Sequence, residues 1–254
     1  MSKTATALAQ VDNNSPANID ETIDNVLSGY DDTTWRPMWF AVKEFGFVSE
    51  AEEQPLLQME GHIIAIRKAR RYSVPDPDTG RRVPVCVLSN RVNPDFGINL
   101  DTRDYVACAT CPQNNWGSAT NDAGVRTKGK ACREKRLLMV LRDGDALPVI
   151  VAAPPTSVRI VEDWKNKLIT KGIKYPTVRV TLKVKRETGE EKAYGVLQIH
   201  GDAPVPPAQQ AELVARIQAG RGMIHGWLQA SLVDVDQDDI GTVEAGQQAS
   251  GLPL

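Results

Sequence analysis

The chain has 254 residues, with 30 Lys and Arg against 32 Asp and Glu, a net charge of −2. Hydrophobic residues at 41% and charged residues at 24% exclude a wholly disordered or fibrous protein, and the length suffices for one large domain or two small ones. No apolar run reaches the ~20 residues of a membrane span, and the opening MSKTATALAQVDNNS lacks a secretory apolar core, so a cytoplasmic protein with no membrane partner is expected.

Residues 1–55 read as an acidic N-terminal arm. Residues 1–34 are rich in Asn, Asp, Ser and Thr without apolar periodicity, and the aromatic cluster WRPMWFAVKEFGFV at 35–48 reads as a segment docking the arm to a body. The body is expected over 56–202. Residues 58–74 are strand-like, PDPDTG at 75–80 is a turn, and RRVPVCVLS returns as a second strand. Residues 90–131 are loop-like, dense in Asn, Asp, Gly and Thr, and a loop of about 40 residues in a compact domain needs a tie. Strands RLLMVL at 136–141 and LPVIVAA at 147–153 follow. A helix is expected over 156–171, where Val158, Val161, Trp164 and Leu168 form one apolar stripe that places Trp164 in the core. In PTVRVTLKVKR, Val178, Val180, Leu182 and Val184 alternate with Arg179, Thr181, Lys183 and Lys185, and AYGVLQIHG is the hairpin partner. A C-terminal helix is expected within 203–230, starting with Pro207 in its first turn, and an acidic disordered tail over 231–254. The order implies a mainly β (α+β) protein, an OB-fold-like barrel with one inserted helix and a long loop insertion.

The loop carries its own tie. Cys108 and Cys111 form a C-x₂-C knuckle, and Cys86 and Cys132 flank it at 21 and 20 intervening residues. This spacing lets thiolates grip a tetrahedral structural zinc, whose binding energy becomes folding energy. A cytoplasmic chain argues against disulfides, and a redox C-x-x-C belongs at a strand-to-helix junction, not in a polar loop. The fourth ligand is Cys86, or, if Cys86 is only a buried strand residue, His62 or none.

Charge is segregated along the chain. Residues 1–55 hold 3 basic and 10 acidic side chains, residues 56–200 hold 25 and 15, and residues 201–254 hold 2 and 7. A basic middle between acidic ends fits a polyanion-binding body with self-shielding termini; the competing reading is a solvated surface. Candidate phosphate contacts are Arg67, Lys68, Arg70, Arg71, Arg82, Lys128, Lys130, Arg133, Arg136, Arg179, Lys183 and Lys185. Tyr72, Tyr105 and Trp116 are candidate stacking faces. Trp116 could instead pack over the knuckle.

The wording C-x-x-C-P-x-N-x-W-G-S at 108–118, then G-K-x-C-x-x-x-R at 129–136, resembles a group of phage and prophage zinc-knuckle proteins of replication and recombination cassettes. The resemblance covers roughly residues 84–170. The general plan is similar to phage single-stranded DNA-binding proteins: a basic OB-fold body, a metal-tied insertion and an acidic tail. No ligand residues carry over, because the spacing differs. No HExxH, phosphate loop or catalytic triad is present. The expectation is a non-enzymatic, largely sequence-independent single-stranded DNA-binding protein in phage DNA replication or recombination. Its acidic tail would recruit replication or recombination proteins. A metal-dependent nuclease or recombination accessory protein, and a zinc-containing DNA-binding regulator, are the alternatives.

Overall fold

A computed structural model describes residues 37–88, 95–121, 124–189, 193–220 and 222. The protein is mainly β, a ten-stranded sheet with two helices among the described residues. The sheet is organised by one long strand, β3 (Gln58–Pro75). One edge of β3 pairs with β7 (Arg133–Arg142) from Gly61 to Arg71. Its other edge is shared between β9 (Arg179–Thr188), along Gln58–His62, and β4 (Arg82–Leu88), along Arg71–Pro75. From β4 the sheet continues to β5 (Phe96–Asn99) and β6 (Tyr105–Ala107). From β7 it continues to β8 (Val149–Ala153).

The aromatic cluster expected to be a docking segment is part of this sheet. Trp39–Lys43 forms β1, which runs parallel to β8, and Gly46–Val48 forms β2, its hairpin partner. Phe40 and Phe47 are fully buried, so apolar burial holds this pair in the body and not merely against it. The expected loop at 90–131 likewise contains β5, β6 and a short 3-10 turn, Pro112–Asn114.

The alternation of β3 is broken by an irregularity between Ile63 and Ala65. The extra residue shifts which side chains face which side. Ile63 and, beyond the break, Ile66 join a core with Phe40, Leu138 and Val151, under helix α1 (Val158–Thr170). Ala65 and Ala69 join a second cluster on the opposite face with Val87, Leu137, Met139 and Ala152. Helix α1 buries Val161, Trp164 and Leu168, as its stripe predicts, and the Trp164 indole N–H donates to Gly201 O at 2.8 Å. The Ser157 hydroxyl accepts from Leu197 N–H at 2.9 Å, fixing the start of α1 on β10 (Ala193–His200).

β10 pairs with β9, not with β1, so the sheet stays open there among the described residues. The two backbones still approach closely. A Cβ at Gly195 would lie 2.2 Å from Lys43 O, so only glycine permits the contact. Helix α2 (Pro207–Ala219) starts at the predicted proline, and Arg216 donates to Asp145 O at 2.5 Å. No described helix is long and apolar enough to cross a membrane. The remainder of the predicted C-terminal helix beyond 222, the arm at 1–36 and the acidic tail lie outside the described residues.

Candidate functional site

The basic residues of β3 and β7 are sorted by the two-residue period of the strands. On the helix-covered face, Arg70 donates to Glu134 at 2.6 Å, and Arg136 reaches Glu134 at 2.7 Å and Glu162 of α1 at 2.6 Å. Burial pushes the carboxyls of Glu134 and Glu162 up, but the bonds from Arg136 with those from Arg70 and Lys165 outweigh it and hold both below the ordinary range. These cations are neutralised internally. On the other face, Arg71 lies opposite Arg133, and Lys135 follows two residues along.

That second face opens into a cavity of about 250 Å³ between β1, β3, β7 and β8. Its lining holds five cations, Lys43, Arg71, Arg82, Arg133 and Lys135, and no described carboxylate. Arg82 donates to Ser73 O at 2.6 Å and Arg71 to Ser73 Oγ at 2.9 Å, which orients both guanidinium groups. A larger cavity of about 630 Å³ adjoins it and shares Ser73, Arg82, Ala131 and Arg133, so the two form one groove. The far wall of the larger cavity comes from the cysteine loop: Gln113, Ser118–Asn121, Gly124 and Lys130, facing Tyr72 of β3. Trp116 stands on this loop with 78% of its surface exposed, and Lys130 Nζ sits 5.2 Å from its ring centroid. A packing role over the knuckle does not fit that exposure.

The loop is ordered around the cysteines. Cys86 lies on β4 opposite Tyr72 and Asn99, Cys108 follows β6, and Cys132 precedes β7. Cys108 N–H donates to Asp95 O at 2.8 Å, and Cys132 N–H to Gln113 O at 2.8 Å, closing the loop on the knuckle. All four thiols are free. A Cβ at Gly97 would lie 2.7 Å from Cys86 Sγ and 3.8 Å from Cys108 Sγ, so a side chain is missing where two sulfurs meet. Burial pushes the Cys86 thiol up to about 11, and neighbouring Cys108 and Cys111 add to this. Burial pushes Cys132 to about 12, with Cys108, Cys86 and Cys111 contributing. Among the described residues, no three or more His, Cys, Asp or Glu side chains form a ready-made cage for an ion. The donor set nevertheless fits a soft divalent cation: four thiols from three chain segments, with Cys86 and Cys132 kept protonated by burial and by the neighbouring cysteines until positive charge lies among them. His62 belongs elsewhere. Its Nδ1 is 3.0 Å from Pro176 O, with burial lowering its pKa and Asp143, Arg216 and Arg179 acting on the ring.

Of the predicted nucleic-acid contacts, the structure brings Arg71, Tyr72, Arg82, Lys130 and Arg133 together in the groove, with Trp116 beside Lys130. Lys128 is exposed on the same loop, and Tyr105 is exposed on the edge strand β6. Others are placed apart. Arg67 is buried, which lowers its guanidinium to about 10, and Arg70 and Arg136 serve the internal network. Lys68 pairs with Asp95 at 3.6 Å, Arg179 with Glu60 and Asp143, and Lys185 with Glu187. Lys183 is exposed on β9 and lines neither cavity. Sequence reasoning missed Lys43, because its segment was not read as a strand. The sequence offered little signal there: Lys43 ends a run that is apolar on both faces, and only the burial observed in the strand alternates.

Compared with models of known protein families and with curated proteins, the chain matches none.

Proposed function

We propose that the protein binds single-stranded DNA non-enzymatically and largely without sequence preference, along this groove, with the cysteine loop tied by a structural zinc. The observation that carries the reading is the groove itself: a continuous concave surface lined by Lys43, Arg71, Arg82, Lys130, Arg133 and Lys135 with no described carboxylate. Single-strand binding needs a positive track for phosphates and exposed aromatic faces for bases, and Trp116 and Tyr72 supply the faces. Reading a duplex through a helix is less well served. The α1 cations Arg159, Lys165 and Lys167, and Lys171 just past its end, are all paired with carboxylates.

The finer fold reading is OB-like. Strands β3, β7, β8, β9 and β10 with α1 between β8 and β9 follow the Greek-key order, and β3 pairs with both β7 and β9. The groove then falls on the second and third strands of the barrel and on the loop between its first two strands, where OB-folds bind oligonucleotides. β1 occupies the edge of β8 where the last strand would close the barrel. A zinc ion held by Cys86, Cys108, Cys111 and Cys132 supplies a cross-link and no open coordination position.

The test is a fluorescence titration with dT oligomers, duplex DNA and RNA at several salt concentrations, with Mg²⁺ present. Tight dT binding with log affinity falling by about 0.7 per phosphate contact for each decade of salt supports the proposal. Strand scission would turn the reading to a nuclease, and preference for one duplex sequence to a regulator. Metal analysis of freshly purified protein that finds no zinc ends the metal half.

A further inference from the structure

Two features of the groove wall are linked by one side chain. Asn114 sits in the turn between the knuckle and Trp116, and its Nδ2 donates to Cys108 O at 2.8 Å. Its Oδ1 accepts from Lys130 Nζ at 3.3 Å, and Lys130 in turn lies 5.2 Å from the Trp116 ring centroid. The amide can be oriented only one way, since the carbonyl of Cys108 requires a donor and the ammonium of Lys130 an acceptor. A chain of contacts thus runs from a knuckle cysteine to the cation and aromatic ring at the groove.

Little else holds that cation and ring. Among the described residues of 108–132 the loop carries no apolar core of its own: Trp116 and Val125 are exposed, and the buried members are Cys108 and Cys132. Its shape rests on backbone bonds such as Gly117 N–H to Gly129 O at 2.9 Å, and on Ser118 Oγ, which donates to Gln113 O and accepts from Ala131 N–H. Ordering of the knuckle and placement of Lys130 are therefore a single event.

We propose that Asn114 is a positioning residue through which the cysteine cluster sets Lys130 in the groove and Trp116 beside it, so that metal binding and single-strand binding strengthen each other. This rests on the zinc and DNA readings above. Coupling between two sites is reciprocal: if the metal tightens DNA binding, bound DNA must hold the metal more tightly by the same factor. Asn114 bonds the Cys108 carbonyl and not a sulfur, and it reaches the groove only through Lys130 without lining it itself, which separates it from the ligands and from the direct contacts.

The experiment follows release of zinc from the full chain to a colorimetric chelator, with and without saturating dT oligomer, alongside dT titrations. In the wild type, dT slows zinc release. Asn114→Ala keeps its zinc, binds dT about two- to tenfold more weakly, the weight of one or two net hydrogen bonds, and loses the slowing. Lys130→Met, at a position that needs no refolding of the turn, also loses the slowing, and its salt slope falls by about 0.7. A wild type without zinc, or one that does not bind dT, removes the reading underneath and the inference with it. A wild type that has zinc and binds dT but releases zinc at one rate regardless overturns the inference alone. So does full protection in both variants.

Discussion

Arg133 and Arg136 stand on one strand, three residues apart, and the parity of that spacing gives them opposite work. Arg136 is nearly buried between Glu134 and Glu162, so removing it leaves two carboxylates poorly compensated. Arg136→Met should lower unfolding free energy by roughly 2–4 kcal/mol in urea titrations. Arg133→Met should change stability by less than about 0.5 kcal/mol, yet weaken dT binding and reduce the salt slope by about 0.7. An exchange of these two phenotypes would put the groove on the wrong face of β7. Trp116→Ala should cost about 1–3 kcal/mol of dT binding with the salt slope unchanged, as expected of a stacked base and not of a charge. The carboxyl network also sets a pH dependence. Glu134 and Glu162 titrate below the ordinary glutamate value of 4.5 in the folded protein, so the unfolded chain takes up protons first. Their stabilisation is whole above 4.5 and is lost as pH falls through the lower folded values. Thermal melts between pH 6 and 3 should show this loss, and Glu134→Gln should flatten it while lowering stability at pH 6.

At the scale of elements, the cysteine loop stands where strand β5 offers a residue without a side chain. Gly97 pairs with Leu88 and Val106, and a methyl group there would sit 2.7 Å from Cys86 Sγ and 3.2 Å from Val87 O. The sulfur or the strand must move. Gly97→Ala should therefore yield protein with less than one zinc per chain and a lower melting temperature, while Gly124→Ala, with open space around its position but a left-handed backbone, should keep its zinc. Equal zinc in wild type and Gly97→Ala would show that Cys86 is not a ligand. The same contrast explains which elements were legible. The β3–β4, β7–β8 and β9–β10 hairpins, α1 and the start of α2 announce themselves by local period, turn residues and proline. β1 does not, because its pairing with β8 is parallel and spans more than a hundred residues, and its five residues are mostly aromatic or apolar on both faces. β5 and β6 have four and three residues, too few to display a period. The C-x₂-C spacing of Cys108 and Cys111 is read from the sequence alone. The groove was legible only in part: alternation alone separates Arg71 and Arg133 from Arg70 and Arg136, but which of the two faces lies under the helix depends on the irregularity after Ile63, which no pattern in residues 58–74 reveals.

Across the whole molecule, the groove's positive field has its counterweight in the same chain. Residues 201–254 hold 7 acidic and 2 basic side chains, and four of the acids fall in DVDQDD at 234–239, outside the described residues. Residues 231–254 hold no Lys or Arg, so the acids beyond 233 have no basic neighbour in their own segment. A polyanion tethered to a basic groove would act on it at an effective concentration near the millimolar range, set by the connecting chain and not by the amount of protein in solution. On the proposed single-strand reading it would compete with DNA for the same cations, and a Coulombic competition fades once the Debye length shrinks to about 8 Å at physiological salt. Truncation after Leu232 should therefore tighten dT binding most at low ionic strength, by about tenfold if two or three groove cations are involved, and should steepen the measured salt slope. Restoring the segment with its Asp residues changed to Asn should behave like the truncation. If truncated and intact chains bind dT equally at low salt, the tail does not compete for the groove, and its charge serves an outside partner instead.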